Sequence, residues 1–446
     1  MSLRAELPPG PRLPSLVQGM AFWTRPLASL ERWRARYGKR FTIKLPAMPP
    51  FVLLSDPDDV KQVFTAPPDV LHPGKGAQVL QPVVGSNSVI LLDERPHMEQ
   101  RKLMLPAFHG ERMAKLTNLM TEVAEREVAS WPRNTQIEMH PRTQALTLEI
   151  ILRAVFGLES GPRLEALRER LRVMLEFGDK PISLVPPKPD TVAANVAQRV
   201  GPFAKFVRLQ EQADAIIFEL IEERRRSPGG DDVLAMLLDA RHDDGTPMDQ
   251  QELRDELMTL LVAGHETTAS TLAWALTRLP GHPSVVARIV DEMRAGDGDA
   301  YLTATIQEVM RRRPVLPNNA PRFVAKPIEV GGWNYPAGVA LVPNAYLIHH
   351  DPAIYEDPYE FRPERFLDSS PGTYTWIPFG GGRRRCLGAS FAMLEMKIVL
   401  RAVLSACEVE PVGASPEPPR RRNITIKPSR GARVLLRNRV REPVAA

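Results

Sequence analysis

The chain has 446 residues, 43% of them hydrophobic and 25% charged, a balance that suits a soluble globule with a substantial core. A net charge of +5, scattered along the chain, is too small to argue for nucleic acid, and two cysteines without a CxxC pairing exclude a disulfide framework. The N-terminus offers neither a signal-peptide core nor the ~20 apolar residues of a membrane span, so a cytoplasmic chain without an anchor is expected.

Length alone would allow two or three domains. The 44 prolines, roughly twice the ordinary share, predict rigid turns and abrupt helix ends. After a Pro-rich leader over residues 1–20, Leu27, Leu30, Trp33 and Tyr37 recur at helical spacing until Gly38 stops the pattern. Arg40 to Leu45 and Phe51 to Leu54 read as a hairpin, and Asp56-Pro57 caps a brief helix to Phe64. From Thr65 to Leu92 no periodicity is sustained, and a segment that irregular is usually functional. His97 and Arg101, four apart, share the face of the next helix. Helical patterns follow over Met113 to Trp131, Gln144 to Phe156, Arg163 to Phe177 and Phe203 to Arg226, with the Pro-rich Lys180 to Pro189 between the last two.

The best-defined element is a helix from Asp249 to Leu279, with Asp249 and Glu252 as a capping box. Thirty residues at ~1.5 Å each reach about 45 Å, enough to cross the molecule. Its middle, Ala263-Gly264-His265-Glu266-Thr267-Thr268, sets a helix-disfavouring glycine, an acid and two threonines in an apolar run. Local inconsistency in a strong element often marks function. The bland alternative is a helix kinked for packing, with Thr267 bonded to a carbonyl one turn back. His265 is expected at the surface. Glu308 and Arg311 share a face of a helix over Thr303 to Arg313, and Leu316 to Arg322 reads as an extended segment. Strands are expected at Ile328 to Val330 and Val339 to Val342, and a hairpin near Ile424 to Ile426.

About sixty residues before the C-terminus stands Phe379-Gly380-Gly381-Gly382-Arg383-Arg384-Arg385-Cys386-Leu387-Gly388. Consecutive glycines break regular structure, and the apolar run Ala389 to Leu404 behind them predicts a helix, so the loop delivers the Cys386 sulfur to a helix mouth. First-turn N–H groups and the arginines favour the metal-binding thiolate there, and the glycines let a large flat group approach. Cys407, without that setting, reads as a buried hydrophobe. The spacing Phe379-x-x-Gly382-x-Arg384-x-Cys386-x-Gly388 resembles the haem-binding loop of the cytochrome P450 family at every fixed position.

The resemblance implies a mainly α fold, a triangular helical prism with a small β-rich lobe, forming one domain over residues 1–446. The lobe would take about 39–55 and 322–342, and the helical core about 93–313 and 376–406. Leu7-Pro8-Pro9-Gly10-Pro11 is similar to the hinge that follows the anchor in membrane-bound relatives. The cofactor implied is haem b with Cys386 as axial thiolate and Phe379, Gly380 and Gly388 in its loop. His97, Arg101, Arg322 and Arg384 would meet the propionates, and Glu266 and Thr267 would be the acid and alcohol that deliver protons during oxygen activation. Glu308, Arg311 and Arg365 (in Phe361 to Phe366) would form a buried structural cluster. Ala263, Gly264, Asn318 and Asn319 are substrate-pocket candidates, though the two asparagines could equally cap turns, and Lys180 to Pro189 would be a lid.

The activity implied is monooxygenation of an apolar small molecule, with fatty acids or terpenoids preferred, by a monomer that takes electrons from a ferredoxin or flavodoxin docking near Arg383 and Arg385. A peroxide-driven haem-thiolate enzyme and a haem-based ligand sensor are the rival readings.

Overall fold

The computed structural model describes residues 7–108, 111–158, 161–180, 202–296, 298–367, 369–413 and 416–439. Its axis is the helix Gln250–Arg278, which starts as the sequence predicts. The Asp249 carboxylate accepts the Glu252 N–H at 2.8 Å, and the Glu252 carboxylate accepts the Asp249 N–H at 2.9 Å. A helix inside a domain needs no polar face. This one is buried along most of its length, by the helices Met139–Phe156, Ala389–Ala406, Pro202–Arg226 and Ala300–Arg312.

The largest apolar cluster lies among these helices and joins Ile150, Leu257, Leu272, Leu302 and Val399. The predicted helical patterns are found at Ala28–Tyr37, Pro57–Thr65, Glu94–Met104, Glu111–Ser130 and Pro162–Glu176. Gly38 ends the first at φ 86°, and the Asp56 carboxylate caps the second. Helices at Ser15–Thr24, Val233–Asp239 and Pro283–Ala295 go beyond the sequence reading. The first lies in the supposed Pro-rich leader: Pro14 precedes it, and its Gln18 side chain is buried, donating to the Pro11 and Leu13 carbonyls.

The strands β1 (Arg40–Ile43) and β2 (Phe51–Leu54) pair antiparallel, Arg40 opposite Leu54. They belong to a five-stranded sheet of order β1-β2-β8-β5-β3, with β3 at Leu71–His72, β5 at Arg322–Val324 and β8 at Ala340–Pro343. β4 (Thr135–Glu138) joins a separate three-stranded sheet, considered below. The expected strand β6 (Ile328–Val330) exists but pairs only with β7 (Trp333–Tyr335), so it forms a separate ribbon and does not extend the lobe sheet.

Three strands of distant origin form the sheet β4-β12-β9, with β9 at Cys407–Pro411 and β12 at Arg433–Asn438, and Cys407 is wholly buried at its edge. The C-terminal hairpin is present as β10 (Pro419–Arg422) and β11 (Thr425–Pro428), turning at Asn423 with φ 50°. Most of Lys180 to Pro189 lies outside the described residues, so the lid reading does too.

Candidate haem-thiolate site

The cysteine loop is closed by the Cys386 N–H, which donates to the Phe379 carbonyl at 3.0 Å. Gly380 and Gly382 have φ 68° and 63°, the left-handed region that favours glycine. A side chain at Gly381 or Gly382 would run into Phe64, the Gly382 Cβ within 2.2 Å of its carbonyl oxygen. These two glycines therefore admit the Pro57–Thr65 helix rather than a flat ligand. Gly388, by contrast, has open space where a Cβ would stand, and it precedes the helix Ala389–Ala406. Burial pushes the Cys386 thiol up, and the Gly388 N–H, Arg101 and Arg385 only partly oppose it. The Cys386 side chain nevertheless has exposed surface.

Cations gather beside this loop. Arg322 is 4% exposed, donates to the Ala320 carbonyl at 2.6 Å and lies 5.4 Å from the Phe64 ring centre. Arg384 donates to the Val89 carbonyl at 3.1 Å and pairs with Asp93 at 2.7 Å. His97 is buried on the helix Glu94–Met104, in the cleft that Arg322, Arg384 and Asp93 also line. Burial and the neighbouring Arg384 push Arg322 down to about 9, and burial with Arg384, Arg101 and Arg322 pushes His97 down to about 3. Arg384 is held down to about 10 by burial, against the pull of Asp93. Among the described residues no carboxylate pairs with Arg322. Arg101, one turn beyond His97, is lowered by burial while Cys386 acts in the opposite direction.

On the long helix, Ala263 is exposed and Gly264 and Thr267 are half-exposed in the midst of buried neighbours, which marks an opening at mid-helix. A Cβ on Gly264 would come within 3.1 Å of Ile151, so the missing side chain serves the approach of the helix Met139–Phe156. The Thr267 hydroxyl donates to the Ala263 carbonyl at 2.7 Å, the bond one turn back.

Glu266 turns into the protein. It accepts from Gln144 at 2.7 Å and Ser270 at 3.3 Å, pairs with Arg422 at 3.1 Å and lies 3.7 Å from His140 Nε2. Burial alone would raise its carboxyl, but Arg422, His140 and His265 outweigh burial and hold it well below the usual range. His265 is not at the surface as expected. It is 2% exposed, with Nδ1 3.0 Å from the Leu261 carbonyl, and burial lowers it. The wall that buries it is the Met139–Phe156 helix, whose Thr147 hydroxyl donates to the His265 carbonyl.

The cytochrome P450 family signature matches residues 8–436. The chain belongs to the cytochrome P450 family. "Putative cytochrome P450 135B1" of Mycobacterium tuberculosis is 39% identical over 97% of this chain and 91% of its own length. "Putative cytochrome P450 138" of the same organism is 38% identical over 97% of each chain. Among solved structures, "Retinoic acid bound cyanobacterial CYP120A1" superposes with TM-score 0.80 at 23% identity, covering 97% of this chain and all of that one. "Crystal structure of cytochrome P450DA heme domain" gives TM-score 0.81 at 22% identity, covering 97% and 98%. The fold is therefore that of a P450, mainly α, and the protein is a haem-thiolate monooxygenase whose family carries haem b.

The residues of this P450 fit that group. Haem b brings two carboxylates, and the cleft offers a buried Arg322 with no carboxylate partner, an Arg384 shared with one acid, and a His97 kept neutral. A buried cation without an anion is costly, and propionates would remove that cost.

Elsewhere the P450 chain neutralises its buried charge by itself. Glu308 and Arg311 are both fully buried and meet in a two-pronged pair at 2.6 and 2.8 Å, and Arg365 Nε stands 3.5 Å from the same carboxylate. Arg311 also donates to the carbonyls of His349, Pro358 and Glu360. The two asparagines each make one side-chain hydrogen bond within the chain. The Asn318 side-chain oxygen accepts from Asn344, which caps Ala345–His349, and the Asn319 amide reaches the Ile377 carbonyl at 3.4 Å. Arg422, His140, Gln144 and Asp93 were missed by the sequence reading. The arginine run Arg420 to Arg422 was the trace of Arg422, and His140 and Gln144 sit in a helix start, Met139-His140-Pro141-Arg142-Thr143-Gln144, whose polar residues do not say which one turns inward.

Proposed function

We propose that this P450 inserts one oxygen atom of dioxygen into an apolar small molecule of fatty-acid or terpenoid type, taking electrons from a ferredoxin or flavodoxin. Glu266 carries the reading: an ionised acid caged by Gln144, Ser270, His140 and Arg422, next in sequence to a hydroxyl at the only exposed stretch of the described long-helix middle. A reaction that starts from dioxygen needs protons delivered at that opening, whereas one that starts from peroxide does not.

In this reading Cys386 holds the iron, and His97, Arg101, Arg322 and Arg384 hold the carboxylates. Bound haem supplies the iron centre at which dioxygen is activated by two electrons. Thr267 exchanges its bond to the Ala263 carbonyl for one aimed into the opening, and the Glu266 carboxylate takes up a proton from solvent and passes it on to replace the one the Thr267 hydroxyl gives. Apolar side chains, Leu80, Val83, Ile90 and Val262, cluster beside the opening and support an apolar substrate. Arg383 and Arg385 are exposed on either side of Arg384 and suit an acidic electron donor.

The test is turnover of a hydrophobic ligand panel, preselected by the low-spin to high-spin shift, under a reductase chain with dioxygen and, separately, under peroxide alone. Product from the reductase chain is expected and excludes a ligand sensor. Faster turnover with peroxide alone would replace the proposal by a peroxygenase. Cys386→His should abolish the red-shifted Soret band of the carbon monoxide complex, and a retained band would move the iron ligand elsewhere.

A further inference from the structure

A second cleft lies where two helices end together. The long helix stops at Arg278, Ala300–Arg312 stops at Arg312, and Pro411, Gly413, Pro416 and Glu417 stand across from them, leaving a cleft of roughly 170 Å3. Arg278, Arg312 and Arg313 all line it, with Trp274, His282 and Glu417. Arg312 is 6% exposed; its Nη1 lies 2.6 Å from His350 Nε2 and donates to the Pro358 carbonyl at 3.3 Å, but its Nε–H is buried with no acceptor. The Arg313 Nε–H is likewise buried without an acceptor, while its Nη1 donates to the Arg312 carbonyl at 2.9 Å.

The local negative charge does not balance three guanidinium groups. Each helix C-terminus contributes about half a charge, so two such ends amount to about one. Glu417 is the carboxylate in the lining, and it already accepts the Arg430 N–H at 3.0 Å and pairs with that guanidinium at 3.5 Å. Burial and mutual repulsion push Arg312 down to about 9 and hold Arg278 below its usual value. Buried N–H donors that lack acceptors in a cationic cleft call for an oxyanion. Flat rings stand at the same wall: Arg313 lies over Trp274 at 5.6 Å, and the His282 ring meets Phe361 at 4.8 Å between centres, tilted by 56°.

We propose that this cleft, separate from the haem site, binds a phosphate-bearing small molecule, with Arg278, Arg312 and Arg313 on the doubly charged oxyanion and the Trp274 and His282 rings beside a flat group attached to it. The test is calorimetric titration of the haem-loaded protein with inorganic pyrophosphate and, separately, with ADP, in wild type, Arg278→Gln and Arg313→Gln. Arg312 is left in place because it also holds His350 and Pro358.

Saturable one-to-one binding is expected, weakened about tenfold by each substitution and unaffected by Arg163→Gln on a distant helix, as befits lost charge-assisted bonds. ADP binding more tightly than pyrophosphate would assign the ring contacts, and ADP binding more weakly would remove them. Absence of saturable pyrophosphate binding up to about 10 mM overturns the proposal, as does equal affinity in the glutamine variants or equal weakening by Arg163→Gln. Should a glutamine variant lose its haem absorbance, Arg278→Lys and Arg313→Lys, which keep the charge but lose the planar fork, make the same comparison.

Discussion

The Glu308 cluster and the Arg322 cluster both take guanidinium groups out of water, and they differ in what meets them there. Arg311 finds a buried carboxylate and three backbone carbonyls, all from this chain. Arg322 finds one carbonyl and an aromatic face, with Arg384 as a like-charged neighbour. A cation that is fully paired by its own chain belongs to the architecture. One that is buried and short of an anion suits a partner from outside the chain, and the haem carboxylates are the partner we propose.

The sharpest way to break this distinction is to remove the one acid of the self-sufficient cluster. Glu308→Ala leaves Arg311 and Arg365 buried without it and should destabilise the fold by about 3–5 kcal/mol. The check is the yield of soluble, haem-loaded protein and its denaturant midpoint; a variant that folds and loads like wild type would strip the cluster of its role. Arg322→Leu should do the reverse in part. The haem-free protein keeps or gains stability because an unpaired buried cation is gone, while haem is lost at least tenfold faster, the equivalent of one charged hydrogen bond of about 1.5–3 kcal/mol. Equal destabilisation of the haem-free and loaded forms would mean Arg322 is structural too.

A buried acid with no cation tests the same rule with the sign changed. Glu256 on the long helix accepts the Val89 N–H at 2.7 Å, and burial pushes its carboxyl up to about 8. The unfolded chain releases that proton near pH 4.5 and the folded chain holds it to about 8. Between those values the folded state binds more protons, so stability falls as pH rises, by at most about 1.4 kcal/mol per unit for one group. Glu256→Gln should flatten that slope in urea midpoints measured across the window; an unchanged slope assigns it to other groups.

The smallest effect on folding is expected at Thr267, a half-exposed residue whose hydroxyl donates to the Ala263 carbonyl. Thr267→Ala should shift stability by less than about 0.5 kcal/mol, since its bond is exposed. It should nevertheless divert reducing equivalents from product to peroxide, and unchanged coupling would remove the hydroxyl from proton delivery.

Where a signal is local, the sequence carried it. The capping box at Asp249, the stop at Gly38 and the turn before Ala389 each depend on neighbours a few residues away, and each stands where expected. Glu308 and Arg311, one helical turn apart, were legible for the same reason. Arg422 was not. It comes from a hairpin over 150 residues beyond Glu266, and nothing in the run Arg420 to Arg422 says which arginine turns inward. The three glycines of the cysteine loop were legible as a break in structure but not as a berth for Phe64, because the sequence does not show which neighbour comes close.

By itself the sequence determined the family, the helical framework and the identity of the loop cysteine, because these follow from periodicity, caps and one tightly spaced motif. Only the tertiary structure decided how charges are shared: that Glu266 is held by a distant arginine, that His265 is buried, that Asn318 meets the Asn344 side chain and Asn319 the Ile377 carbonyl, and that Arg322, Arg312 and Arg313 have no carboxylate partner among the described residues. Charge balance in a folded chain is a sum over everything within a few ångströms, and most of those neighbours are remote along the chain.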